Sequence, residues 1–142
     1  MDEPPRDPRE PLLPWRLLTS ITWRSLLIAG STATAFVLAQ VKTQEISKAV
    51  TIAFASIALG LLLHMFNSRS DRFLLTIRRR QPNPYIWLAF AGVLSLQLLG
   101  IYAPPLQLVL RTVPLNLADW SLVVTAALVP AILVELSKLL PR

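Results

Sequence analysis

No cysteine occurs among the 142 residues, which excludes disulfides, thiolate metal sites and a cysteine nucleophile and leaves the redox compartment open. His64 is the only histidine, so a multi-histidine site is excluded as well. Glycine is scarce, with 4 residues, and no G-x-x-x-x-G-K phosphate loop, G-x-G-x-x-G fingerprint or H-E-x-x-H pair is present. Charge is scarce too, at 15%. None of the acidic residues falls in the middle of an apolar run, where an autonomous pump or proton-coupled transporter needs carboxylates.

What remains is strongly apolar. Hydrophobic residues make up 54% of the chain and the mean hydropathy is +0.53, above the range of about 45 to 50% apolar residues usual in soluble domains. The formal charge of +6 and pI near 10.8 would suit a nucleic-acid binder only if the basic residues shared a soluble face. Here they punctuate apolar runs, and no nucleic-acid partner is expected.

Residues 1–16 form a polar, Pro-rich segment in which Pro4, Pro5, Pro8, Pro11 and Pro14 remove too many backbone donors for a helix. Its acidic start is unlike a secretory signal, so nothing there reads as cleaved and the N-terminus is expected in the cytosol. Residues 17–142 read as an all-α membrane domain of four transmembrane helices, at about 18–41, 49–66, 85–103 and 120–138. Ala49–Phe66 and Tyr85–Ala103 carry no charge. Arg24 lies close enough to the end of the first span to snorkel to the headgroups, and the last span is the shortest. A soluble bundle would need a polar face on each helix, and Ala49–Phe66 offers only Thr51, Ser56 and His64.

Arg6, Arg9, Arg16, Arg24, Arg69, Arg72, Arg78, Arg79, Arg80, Lys138 and Arg142 fall on one side of this arrangement, against Lys42, Lys48 and Arg111 on the other. The positive-inside rule then makes both termini cytoplasmic and gives two helical hairpins with small outer loops. On this topology Glu45 and Asp119 lie outside and the other carboxylates in the cytosol.

Few residues offer chemistry. His64, near the cytoplasmic end of the second span with Asn67 a turn away, could relay protons or bind a cation, but a satisfied helix-end residue is the plainer reading. Gln97, in mid-span, needs a hydrogen-bond partner from another helix or a polar ligand. Ser31, Thr32 and Thr34 beside Gly30 and Ala33 read as close-packing residues that bond their own helix carbonyls. Glu135 and Lys138 are spaced for a local ion pair.

MDEPPRDPREPLL, HMFNSRSDR, IYAPPLQLVL and the following LADW and VELSK resemble, in order and spacing, the C-terminal membrane region of P-type cation-transporting ATPases, in particular the calcium-pump branch. The resemblance implies that the four spans are the seventh to tenth helices of such a pump. It further implies that Pro4, Pro5, Arg6, Pro8, Glu10 and Pro11 form a cytoplasmic surface that docks on the phosphorylation domain. The family's phosphorylation motif, nucleotide-binding and actuator domains and ion-binding fourth to sixth helices lie outside this sequence. It therefore implies no catalytic residue and no cofactor here, ATP and Mg belonging to the intact pump.

Where many calcium pumps place a Glu or Gln ligand in the eighth helix, this chain has Leu61, which offers a cation no oxygen. No metal ligand is expected. The implied partners are the bilayer, the remaining helices and the phosphorylation domain, in the plasma (cell) membrane. The implied role is to scaffold the ion-transporting helices and dock the cytoplasmic domains. An alternative is a standalone small membrane protein that associates with and regulates a pump or other complex, and a third is a small transporter using His64 and Gln97. The start at Met1 leaves fragment, split gene and independent protein open, and the transported ion is not legible.

Overall fold

The computed structural model describes residues 15–67 and 84–138. The Pro-rich docking residues Pro4, Pro5, Arg6, Pro8, Glu10 and Pro11 and the Arg-rich connection lie outside the described residues. Five helices follow one another: α1 Trp15–Thr43, α2 Ile46–Asn67, α3 Pro84–Tyr102, α4 Pro104–Leu110 and α5 Leu117–Ser137. Four of them are long and apolar enough to cross a membrane. At 1.5 Å per residue, α2, α3 and α5 measure roughly 28 to 33 Å, close to a hydrocarbon core of about 30 Å, while α1 is longer. Trp15 and Arg16, assigned by sequence to the Pro-rich segment, belong instead to α1.

α1 and α2 form a hairpin joined by Gln44 and Glu45. Gln44 adopts the left-handed conformation, with φ 58°. Its N–H donates to the Gln40 carbonyl at 2.9 Å and its side-chain amide to the Val41 carbonyl at 3.0 Å, so the turn meets carbonyls that α1 leaves open at its end. The molecule therefore has two ends. One carries Trp15, Asn67, Pro84 and Ser137, and the other carries the Gln44 turn and α4.

The core is a triad of α1, α2 and α5. Ala35 and Ala39 of α1, Ala49, Ile52 and Ala55 of α2, and Val123 and Ala126 of α5 are buried together. Lipid tails are as apolar as these side chains, so association rests on close packing, which small residues permit. Gly60 serves the same end, its Cβ position lying 3.6 Å from Ile28. By contrast α3 touches α2 and α4 and buries only Gln97, Gly100 and Ile101. The second pair of spans is thus consecutive in the chain, but α5 takes its main packing from α1 and α2.

α4 has no counterpart in the sequence reading, which placed a small loop between the last two spans. Pro104 and Pro105 occupy its first turn, where a missing N–H costs nothing, and Arg111 ends it in the left-handed conformation, with φ 53°. The Leu110 side-chain tip lies 3.1 Å from the Cβ position of Gly100, so a larger residue there would make that tip shift where α4 folds back against α3.

Within α5, Pro130 has no N–H to give the Ala126 carbonyl one turn earlier. In a bilayer no water can replace that donor. Ser31 of α1 supplies it, its hydroxyl donating to the Ala126 oxygen at 2.6 Å. Thr34 follows the sequence expectation by bonding its own helix at Gly30, 2.8 Å away, whereas Ser31 reaches across to a neighbouring helix. The pairing generates a double-mutant cycle. Ser31→Ala is expected to destabilise the detergent-solubilised chain by about 1 kcal/mol in SDS titration. In a Pro130→Ala background, where the backbone donor returns, the same change is expected to cost less than about 0.3 kcal/mol.

Candidate functional site

The polar chemistry of the described residues gathers at the Gln44 end. Asn116 and Asp119 cap α5 reciprocally: the Asp119 N–H donates to the Asn116 side chain and the Asn116 N–H to the Asp119 carboxylate, each at 2.9 Å. Two orphan helix-start donors are met in this way, and the acidic group complements the positive end of the helix. The same carboxylate accepts Lys48 of α2 at 3.1 Å, with both side chains largely withdrawn from solvent. One carboxylate thus fixes the start of α5 and ties it to the start of α2.

Around it the α3–α5 connection is bonded down. Thr51, wholly buried, accepts the Val113 N–H at 3.1 Å while donating to its own helix at Ser47. Thr112 donates to the Gly100 carbonyl at 2.5 Å and Gln107 to the Ile101 carbonyl at 2.6 Å, so the last carbonyls of α3 find side-chain donors. Tyr102 donates to the Leu115 carbonyl at 2.8 Å and accepts from the Trp120 indole at 2.7 Å. Both aromatics thereby present apolar bodies with satisfied polar tips, which suits a membrane–water boundary.

At the Asn67 end, Lys138 pairs with Glu135 at 2.8 Å, and the Lys138 side chain is completely covered. His64 is half-buried on α2, where the positive charges of Arg24 and Lys138 bear on it. Asn67 is the last residue of α2.

Gln97 is buried, and its Nε2 has no hydrogen-bond partner among the described residues. The structure does not bring it to His64: Gln97 belongs to the Gln44 half of α3, and His64 to the last turn of α2 at the other end. A polar pathway joining the two has no geometric support. Leu61 is exposed on α2. Among the described residues no group of three or more His, Cys, Asp or Glu side chains could hold a metal ion.

The Lys48–Asp119 pair was not singled out from the sequence, although both residues were placed on the same side. The N-x-x-D spacing of Asn116 and Asp119, immediately ahead of an apolar run, was the available sign of a cap.

This geometry defines a multi-pass helical membrane domain whose described polar groups fix helix ends and bridge helices. Residues 1–140 match the family described as "Cation transporting ATPase, C-terminus", and the chain belongs to that family. It is 34% identical over 136 residues to a "Calcium-transporting ATPase" of Bacillus subtilis (strain 168). That match takes in 94% of this chain and 15% of the relative's length, so the chain spans a small part of the protein it matches.

The shared carboxylate makes a graded prediction. Lys48→Met is expected to destabilise the chain by about 1 to 3 kcal/mol in SDS titration, because it leaves a mostly buried carboxylate without its cation. Asp119→Ala is expected to cost about 0.5 to 1 kcal/mol more, since it removes the acceptor of the Asn116 N–H, half of the capping box, along with the ion pair. Equal costs would show that this half of the box contributes nothing.

Proposed function

We propose that this chain is the membrane-embedded C-terminal part of a calcium-type P-type ATPase, with its four spans serving as a rigid buttress for ion-transporting helices supplied by the rest of the pump. The observation that carries this reading is the family match from residue 1 to 140 laid over four spanning helices. The described residues support a structural role within the pump: their ion pairs and side-chain hydrogen bonds fix helix ends, bridge helices and hold connections. Leu61, at the position where many relatives place a ligand, has no oxygen to contribute.

In this reading the Asn67 end faces the cytoplasm, as the distribution of basic residues requires. Pro4, Pro5, Arg6, Pro8, Glu10 and Pro11 dock on the phosphorylation domain, and the host is the plasma membrane. ATP and Mg act in the catalytic domains, and this polypeptide alone does not hydrolyse ATP. The packing of α5 on α1 and α2 supports the buttress role, because the last span closes the triad rather than trailing from it.

The test is ATP-driven calcium uptake by inverted membrane vesicles containing a pump whose C-terminal region is this sequence. Removing the region is expected to lower uptake at least tenfold per pump molecule, and restoring it to recover transport. Unchanged uptake in the truncated pump would overturn the proposal.

A further inference from the structure

Between the last turns of α1 and the first turns of α5 lies a cavity of about 450 Å³, walled by Leu38, Val41, Ile52 and Leu122. Lys42 and Asp119 also line it, together with Ser121 and Thr125. Leu38, Val41, Lys42, Ser121 and Thr125 are all exposed, so the cavity opens sideways into the surroundings of the bundle as well as towards the Gln44 end. The hydrogen-bonded Tyr102 and Trp120 mark the same end as the membrane boundary.

The charges in this cleft are unbalanced. Asp119 is already engaged by Lys48 and by the Asn116 N–H, whereas Lys42 has no ion pair among the described residues. Ser121 and Thr125 give their hydroxyl protons to carbonyls of their own helix, at 2.6 and 2.7 Å. The surplus is one cation at the mouth of an apolar slot, at headgroup depth. A lysine stem lying along an apolar wall with its ammonium at the interface is the arrangement that meets a phosphate.

We propose that this cleft binds one anionic phospholipid of the outer leaflet, its phosphate held by Lys42 and an acyl chain lying against Leu38, Ile52 and Leu122. A headgroup and part of an acyl chain fall within the range of ordinary ligand sites of this volume. The occupant would close the gap that α1 and α5 leave beyond their contact at Ser31.

The full 142-residue chain, purified into nanodiscs made with phosphatidylglycerol, is released into the gas phase and the phospholipids that stay bound are counted by native mass spectrometry. One phosphatidylglycerol is expected to remain, with phosphatidylcholine retained several-fold less. Lys42→Glu is expected to reduce retention about tenfold, and Arg111→Glu, which reverses a charge outside the cleft, to leave it unchanged. Millimolar inorganic phosphate is expected not to displace the lipid. Equal retention by wild type and Lys42→Glu would overturn the proposal, as would displacement by free phosphate, which would make the site one for the soluble anion. Because the chain is cysteine-free, a photo-crosslinker on Thr125→Cys in native membranes reports the occupant directly. Adducts with lipid are expected, and adducts with another polypeptide segment would overturn the lipid assignment.

Discussion

A bilayer has no water with which to mend a broken backbone hydrogen bond, and the arrangement of these helices depends on that constraint. Pro130 opens one carbonyl in the middle of α5, and the Ser31 hydroxyl of α1 closes it at 2.6 Å. The bond fixes which face of α5 meets α1 and at what height. With that register set, Val123, Ala126 and Val134 are buried on α5 and Ala35 and Ala39 on α1. A proline that would weaken a helix in isolation here specifies its neighbour.

The two ends are held differently. At the Gln44 end, backbone groups left over by helix termini are met one by one, by Thr51, Tyr102, Gln107, Thr112, Asn116 and Asp119. At the other end Glu135 and Lys138 pair locally at the end of α5, and the Ser137 hydroxyl donates to the Val134 carbonyl. α3 joins the triad less closely, burying Ile101 in the same core. It keeps Leu96, Leu98 and Leu99 exposed and leaves the Gln97 amide nitrogen without a partner among the described residues. In the proposed role within a larger pump, surfaces of this kind are the ones offered to other helices.

Much of the architecture was legible because span length and charge are coarse signals that survive without knowledge of packing. Ala49–Phe66 and Tyr85–Ala103 announce themselves as uncharged runs, and the structure places helices Ile46–Asn67 and Pro84–Tyr102 over them. α4 was hidden because its two prolines and its brevity look like loop chemistry, and only in retrospect do they read as a first turn. Ser31 was read as bonding its own helix because spacing along one helix says nothing about a carbonyl on another, although Pro130 was the visible sign that some carbonyl needed a donor. Lys48 and Asp119 were both placed outside the membrane, yet their pairing depends on α2 and α5 being neighbours. Sequence order alone would have paired α5 with α3. The docking role read for Pro4 to Pro11 rests on the resemblance alone, since these residues lie outside the described ones.

The most direct test of the central claim, that these helices work as one part of a larger ATPase, is the size of the native polypeptide on an immunoblot of host membranes, using an antibody raised against the Arg-rich connection between the second and third spans. A band at the size of a complete pump is the predicted result. A sole band near 15.8 kDa, in membranes where no larger pump co-purifies with it, would contradict the account.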